Sequence, residues 1–186
     1  MSVAREFVDL PRAELARLLR EGHPIDPAAI ADFVYRGTSL GIPSWVEQLA
    51  WKVFAKTFHR EPATGVLRGW NVRIRQQGLD GPLDPLLRRG RPLTFGHFRV
   101  AACDEYVMPV AVRGLMLDYG RGGNARLDPT ARLRDPVVAL TPGSVDVLLG
   151  WSYLDLGVAR IGTPSYFLLE RHAPLADPVA PPRAQN

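Results

Sequence analysis

The stretch VLRGWNVRIR, residues 66–75, decides the fold class because its side chains alternate between apolar and polar. One side of an extended chain carries Val66, Trp70, Val72 and Ile74, with Arg68 as the single break. The other side carries Asn71, Arg73 and Arg75. A period of two is the pattern of a β-strand with one face against a core.

Five more stretches after this strand have the composition of strands and are separated by Gly, Pro and Asp turns. They cover residues 93–100, 107–119, 137–140, 145–156 and 166–171, and residues 33–35 have the composition of a first strand. No helical pattern separates any two of the five, whereas parallel strands need a crossover that is usually a helix. The sequence therefore predicts an α+β protein that is mainly antiparallel β, with a closed or nearly closed barrel.

The amino-terminal part of the chain is predicted to be helical. Asp9 caps a first helix that ends at Gly22, and Asp26 with Pro27 starts a second brief one. The strongest helical pattern covers residues 43–59, where Ser44 and Glu47 form a capping box. Residues 1–176 are expected to form one domain, with helices over about 9–61 and the barrel over about 62–172. The tail at 177–186 is expected to be disordered because it has almost nothing to bury.

Composition limits the location and the partners of the chain. The 186 residues carry a formal net charge of +4, with arginines spread along the whole sequence. The single cysteine, Cys103, excludes an internal disulfide and fits a reducing cytoplasm. No apolar run is long enough to span a membrane, and the amino terminus lacks the apolar stretch of a signal peptide. We expect a soluble cytoplasmic protein.

Two basic segments suggest nucleic acid or phosphate binding, but each has a plainer interpretation. Residues 88–92 contain RGRP, which resembles the core of an AT-hook, yet this segment runs directly into a core strand. Residues 120–124 are rich in glycine but lack the lysine, the Ser or Thr and the following helix of a P-loop. We interpret both as turns, and nucleic-acid binding ranks last among the functions considered.

Ser39 lies in Gly37-Thr38-Ser39-Leu40-Gly41, a literal match to the G-x-S-x-G elbow that presents a nucleophilic serine in α/β-hydrolases. That fold places several strands and an oxyanion loop before the nucleophile, whereas only 38 residues precede Ser39. The predicted helix also starts several residues later, at Ser44. We therefore interpret Ser39 as an ordinary turn residue.

All basic residues other than histidine are arginine except Lys52 and Lys56, which lie four apart in the predicted helix and are followed by His59 and Arg60. One helix face would then carry four basic groups. Such a face could hold a carboxylate or a phosphate, and either lysine could act as an acid, a base or an imine-forming amine if burial lowered its pKa. The alternative is a solvated helix face, which is the commoner meaning of this pattern.

Aromatic residues on the predicted strands occur together with polar groups, which is the usual composition of a small-molecule site. His97 and Asp118 are the candidate acid and base if both face one cavity. Candidate ligand-binding residues are Tyr35, Lys56, Trp70, Asn71, Arg73, Tyr119, Trp151 and Tyr153. The four histidines show no metal-ligand spacing, so we expect neither a metal nor another cofactor.

The order of these elements resembles bacterial proteins named for a Gly-x-Trp-x-Gly motif. The resemblance covers residues 33–171 and includes a helix with Trp51, Lys56 and Phe58. In FVYRG, residues 33–37, Phe33 stands at the first Gly position and Tyr35 at the Trp position, while Gly37 is kept. The resemblance implies a lipocalin-like, calycin-type barrel with a ligand cavity and carries over no catalytic residue. It also places Ser39 in the link between the first strand and the helix.

Taken together, the patterns predict that a small apolar or amphipathic molecule binds in the barrel, oriented by Arg73, His97 or Asp118. The alternative is an enzymatic function: a cofactor-independent isomerase or cyclase that moves a proton in the same cavity. Whether the chain is a monomer or a homodimer is left open by the sequence.

Overall fold

The computed structural model describes residues 2–41, 52–125 and 127–183. In this part of the chain, eight antiparallel strands form a closed barrel. The antiparallel barrel predicted from the alternating stretches is confirmed.

The described residues contain two α-helices, α1 (Arg12–Glu21) and α2 (Pro27–Ile30). The strands are β1 (Phe33–Leu40), β2 (Val53–Arg60), β3 (Leu67–Arg73), β4 (Leu87–Arg88), β5 (Arg91–Pro92), β6 (Thr94–Ala102), β7 (Leu115–Asp118), β8 (Leu133–Ala139), β9 (Val147–Asp155) and β10 (Arg160–Pro174). The barrel order is β1-β10-β9-β8-β7-β6-β3-β2, and β2 pairs again with β1, while β4 and β5 form a separate two-stranded sheet. Of the stretch predicted at 107–119, only the last five residues form β7 and the start of the turn after it. None of these helices is long and apolar enough to cross a membrane.

The two short helices cover the barrel and form where the sequence predicts them. Leu15 and Leu19 of α1 are buried against the outside of the barrel, in one cluster with Trp151 and Tyr153 of β9. Pro11, and not Asp9, is the residue that precedes the first turn of α1. In α2 the Asp26 carboxylate accepts a hydrogen bond from the Ala28 amide, which caps that helix as predicted.

The helix predicted at residues 43–59 is wrong for its second half, because Val53–Arg60 is strand β2. Residues 43–51 of that prediction lie outside the described residues. Phe54 and Phe58 face the barrel interior, and Ala55 belongs to a buried cluster on the outside. A strand that is covered on both faces loses the alternation that identifies it. The barrel therefore begins at Phe33 and not near residue 62.

One end of the barrel interior is closed by apolar packing. Tyr35 and Phe58 are fully buried there, with ring centroids 5.4 Å apart in an edge-to-face contact. The Tyr35 hydroxyl donates a hydrogen bond to the Val145 carbonyl oxygen at 3.0 Å. Ile25 and Ile30, before and within α2, belong to the same buried cluster. This segment therefore covers the closed end.

The outer face of β3 is covered by chain segments that follow other strands. Trp70 and Val72 are buried there, and Leu83 and Val179 pack against the same cluster. The Arg68 guanidinium donates a hydrogen bond to the Val179 carbonyl oxygen at 2.8 Å. Part of the tail that was expected to be disordered at 177–186 therefore lies against the barrel.

Both basic segments form turns, as predicted. Residues 88–92 are a hairpin in which Arg88 pairs with Arg91, while Arg89 and Gly90 have φ angles of 53° and 75°. Glycine adopts this left-handed backbone without a steric penalty, so Gly90 suits its position in the turn. Residues 119–121 form one turn of 3-10 helix, followed by Gly122 and Gly123.

Candidate functional site

The end of the barrel interior opposite Tyr35 and Phe58 holds a cavity of about 170 Å³. Its walls combine aromatic rings with polar groups from six different strands or their ends. The polar lining includes Ser39, Lys56, Asn71, Tyr119, Asp135 and Ser152. The volume is below the range of roughly 300–1,000 Å³ that is typical of pockets for drug-sized ligands. A small ligand fits this cavity better than a long lipid.

Three side chains from distant parts of the sequence form a hydrogen-bonded chain in the cavity. Lys56 Nζ donates to the Tyr119 hydroxyl oxygen at 2.8 Å, and that hydroxyl donates to Asp135 Oδ2 at 2.7 Å. The direct distance from Lys56 Nζ to Asp135 Oδ2 is 3.6 Å. The side chains of Lys56 and Asp135 are 2% and 4% exposed, so this ion pair is almost completely removed from water.

Burial changes the acid–base properties of all three groups. Loss of water lowers the pKa of Lys56 to about 8, although the negative charge of Asp135 opposes this change. Burial raises the pKa of Asp135 above its ordinary value, against the opposing effect of Lys56. Burial also raises the pKa of Tyr119 well above its ordinary value, and the Asp135 charge adds to that increase. Tyr119 therefore stays protonated and can donate a hydrogen bond at any physiological pH.

Asp135 has one oxygen that the protein leaves unused. Oδ2 accepts the hydrogen bond from Tyr119, whereas Oδ1 is buried without a hydrogen-bond partner among the described residues. The Ser152 hydroxyl, on the neighbouring strand β9, lowers the pKa of Asp135 as a hydrogen-bond donor and also lines the cavity, but it does not reach Oδ1 with normal hydrogen-bond geometry. A buried carboxylate oxygen without a partner costs about 1–3 kcal/mol or more. A ligand that donates a hydrogen bond to Oδ1 would remove this cost.

Aromatic rings surround the Lys56 ammonium group on several sides. Lys56 Nζ lies 4.6 Å from the Phe167 ring centroid and 5.0 Å from that of Phe98. The corresponding distances to the Tyr119 and Phe54 rings are 5.4 Å and 5.8 Å. Ring faces attract a cation, so these contacts offset part of the loss of water around the charged form. These four rings, here called the aromatic cage, also keep the amine in apolar surroundings.

Each of the three phenylalanines in this cage lies over a glycine on the neighbouring strand. The register pairs Gly37 with Phe54, Gly69 with Phe98, and Gly150 with Phe167. A Cβ atom added at these glycines would come within 2.1–2.4 Å of an atom of the opposite ring. Any larger residue at these positions would displace the rings from Lys56. The glycines therefore belong to the construction of the site.

Three of the predicted site residues line the cavity: Lys56, Asn71 and Tyr119. The Asn71 side-chain amide donates to the Gly96 carbonyl oxygen at 3.0 Å, which holds the start of β6 against β3. Lys56 reaches the cavity from a strand and not from the predicted basic helix face. His59, assigned to that same face, points elsewhere and its Nδ1 lies 2.7 Å from Asp32.

The other predicted ligand-binding residues lie outside the cavity lining. Tyr35 is inside the barrel but at its packed end, and Trp70 is on the outer face. Trp151 and Tyr153 pack under α1, also on the outside. The Arg73 guanidinium lies 5.6 Å from the ring centroid of Phe95, a cavity residue, without itself lining the cavity.

The structure does not place the predicted acid–base pair, His97 and Asp118, in the cavity. His97 stacks on Trp70 at the outer face, with ring centroids 6.1 Å apart, and burial lowers its pKa to about 4. Asp118 accepts a hydrogen bond from Tyr106 at 2.8 Å and pairs with Arg134 at 3.1 Å. Both residues neighbour inward-facing ones, Phe98 and Leu117, and successive strand residues point to opposite faces.

Ser39 lies within strand β1 and lines the cavity. It is therefore neither in a turn nor in a link between a strand and a helix, as the sequence and the resemblance had suggested. Ser39 also does not occupy a strand-to-helix elbow, which agrees with the rejection of a hydrolase nucleophile. Its role in the cavity is that of a small polar wall residue.

Sequence reasoning missed Asp135, Phe54 and Phe167 as site residues. Asp135 alternates with Leu133 and Val137 on β8, which is the pattern of an inward face with one carboxylate. That strand was predicted at 137–140, so Pro136, a residue unusual inside a sheet, separated it from Asp135. Extending the strand through Pro136 would have found the carboxylate.

No family model, no curated protein and no solved structure matches this chain at a significant level. The resemblance to the Gly-x-Trp-x-Gly proteins therefore stays a prediction.

Proposed function

We propose that the barrel binds a small, neutral and partly polar molecule in the cavity that Lys56, Tyr119 and Asp135 line. The observation that carries this proposal is the unused Oδ1 of Asp135 in a partly empty, ring-lined space. Convergent polar groups in an apolar cavity are the usual composition of a ligand site. The lipocalin-like assignment, the cytoplasmic location and a bacterial source are parts of the proposal that rest on the sequence.

Stability alone gives no reason for this arrangement. A buried ion pair is often no more stabilising than apolar side chains of similar volume, because both charges lose their water. Lys56 and Asp135 are nevertheless buried at the cavity end of the barrel interior, where apolar residues would fill the space. Their charges balance one another, so the site favours a neutral ligand over an ion. The rings supply contact area, and Asp135 supplies orientation.

Binding can be tested with benzyl alcohol, a small ring with one hydroxyl donor, added to the 15N-labelled full chain. We expect saturable shifts of the Gly96, Ser152 and Phe167 amide signals, because these residues line the cavity. Asp135→Asn should weaken the binding about tenfold, since the neutral amide is a poorer acceptor. Asp118→Asn is the matched control, because Asp118 is equally buried but lies outside the cavity lining.

Two results would overturn the proposal. One is the absence of saturable shifts in the cavity residues. The other is binding that maps to the outer face around Trp70 and Val72, or that Asp135→Asn leaves unchanged.

The alternative function, an enzyme that moves a proton in the cavity, is supported by the Lys56–Tyr119–Asp135 hydrogen bonds. These residues replace His97 and Asp118 as the candidate acid–base groups. Exchange of the hydrogens next to the carbonyl of cyclohexanone in heavy water, followed by NMR, tests this function. An enzyme should exchange them faster than buffer, and Tyr119→Phe should lose the exchange while still binding benzyl alcohol.

A further inference from the structure

The position of Lys56 gives the cavity a chemical capability beyond reversible binding. Of the two lysines in the chain, Lys56 alone lines the cavity, and its amine is surrounded by rings. We infer that Lys56 is a covalent attachment site for small aldehydes or ketones, which it holds as an imine inside the barrel. This inference rests on the proposed function, because the carbonyl compound must enter the same cavity.

The neighbours of Lys56 match what imine formation requires. The amine must lose a proton, and Tyr119 with Asp135 provides a path of 2.8 Å and 2.7 Å hydrogen bonds for it. The leaving hydroxyl must gain a proton, which the same Tyr119 hydroxyl can supply. Phe54, Phe98 and Phe167 limit the access of water, which would hydrolyse the product.

The reaction balances without an oxidant, a reductant or a metal. The Lys56 ammonium first gives one proton to Asp135 through Tyr119. The neutral amine then attacks the carbonyl carbon, and the resulting carbinolamine loses its hydroxyl as water after receiving a proton. In sum, one ammonium and one carbonyl compound give one protonated imine and one water. The positive charge is kept, so the pairing with Asp135 and the contacts with the rings are kept as well.

A usable fraction of the amine is neutral near physiological pH. The pKa of Lys56 of about 8 corresponds to roughly one-tenth free amine at pH 7, against well below one-hundredth for an ordinary lysine. The titratable groups that face Lys56 are Asp135 and Tyr119. Asp135 favours the ammonium form, and Tyr119 stays protonated in the range where Lys56 titrates.

The chain provides its own matched control, because Lys52 lies four residues before Lys56. Lys52 precedes β2, is partly exposed and does not line the cavity. Lys52→Arg leaves Lys56 as the one lysine, and Lys56→Arg leaves Lys52. Arginine keeps the positive charge and cannot form an imine with an aldehyde under these conditions.

The test treats both full-length variants with benzaldehyde and sodium cyanoborohydride at pH 7, with butanal as a smaller second probe. Borohydride reduction fixes each imine as a secondary amine, and peptide mass spectrometry locates it. We expect modification of Lys56 to be at least about tenfold faster than that of Lys52, because burial among the rings lowers the pKa of Lys56 and leaves more of its amine neutral. Benzyl alcohol should slow the labelling of Lys56 and leave that of Lys52 unchanged.

Two further measurements separate chemistry from structure. In Tyr119→Phe, the labelling rate of Lys56 at saturating benzaldehyde should fall about tenfold, because the hydroxyl no longer transfers a proton. In the Lys52→Arg variant, the labelling rate should rise about tenfold per pH unit and level off near pH 8. The pH profile needs no substitution in the cavity and holds even if Tyr119→Phe does not fold.

The possible failures are distinguishable. If benzyl alcohol binds but Lys56 is labelled no faster than Lys52, the imine is excluded and the proposed function stands. If the rate keeps rising above pH 10, Lys56 is an ordinary amine and the inference is overturned. If benzyl alcohol does not bind and Lys56 is not labelled, the proposed function and this inference fall together.

Discussion

The two ends of the barrel interior differ in packing and polarity. At one end, Tyr35 and Phe58 are fully buried, and the one polar atom of that pair, the Tyr35 hydroxyl, has a backbone partner. At the other end, Lys56 and Asp135 are buried just as deeply beside empty space, with one oxygen unpartnered. The same strands build both ends. The Tyr35 end is therefore filled by packing, whereas the Lys56 end keeps a cavity lined by charged and polar groups.

The largest expected effect compares two phenylalanines on the same strand. Phe58→Ala should lower the free energy of unfolding by about 4 kcal/mol, because it opens a hole in a filled core. Phe54→Ala should cost about half as much, because Phe54 already borders the cavity and is partly exposed. Urea unfolding measures both. Equal losses would show that the two ends are packed alike.

The next comparison removes the ion pair one charge at a time. Lys56→Met and Asp135→Leu should each cost about 3 kcal/mol, because each leaves the other charged group without its partner. The double variant should lie within about 1 kcal/mol of the wild type, since two apolar groups need no partner. A double variant that loses the sum of both single effects would contradict this account. Urea unfolding of all four proteins completes the cycle.

A third prediction concerns His97, which is buried on the outer face of the barrel. Its titration affects stability without involving the cavity. Burial lowers its pKa from an ordinary 6.5 to about 4, so between these pH values the unfolded chain binds more protons than the folded one. Stability should therefore fall as the pH drops from 6.5 to 4. His97→Phe should remove on the order of 2 kcal/mol of that fall, measured by unfolding at both pH values. An unchanged pH profile would place the acid sensitivity elsewhere.

The smallest expected change in stability comes from filling the cavity. Ser152→Leu should alter the free energy of unfolding by only about 1 kcal/mol, because the added atoms enter empty space. The same variant should no longer bind benzyl alcohol in the NMR titration. A loss of more than about 3 kcal/mol would indicate that the space is already filled.

The sequence predicted the barrel better than the site. Both faces of β3 are buried, but alternation in residues 66–75 still located it, because the outward Trp70 and Val72 are apolar and the inward Asn71 is polar. Alternation failed for β2, where both faces carry apolar residues and the spacing of Val53, Phe54 and Phe58 fits a helix equally well. A strand with apolar residues on both faces shows no period of two.

The site was only half predictable because it depends on register. Lys56 and Tyr119 were selected by residue type, but 63 residues separate them, and no local pattern shows that their polar atoms meet. Choosing His97 and Asp118 was an error of facing, because their chain neighbours Gly96 and Tyr119 line the cavity and successive strand residues point to opposite faces. Such errors disappear only when the partner strands are known.

The most direct test of the central claim is a crystal structure of the full chain in the presence of benzyl alcohol. The account predicts one molecule inside the barrel, its ring against Phe54 and Phe167 and its hydroxyl within hydrogen-bonding distance of Asp135 Oδ1. An interior filled by protein side chains, or benzyl alcohol found only outside the barrel, would contradict it.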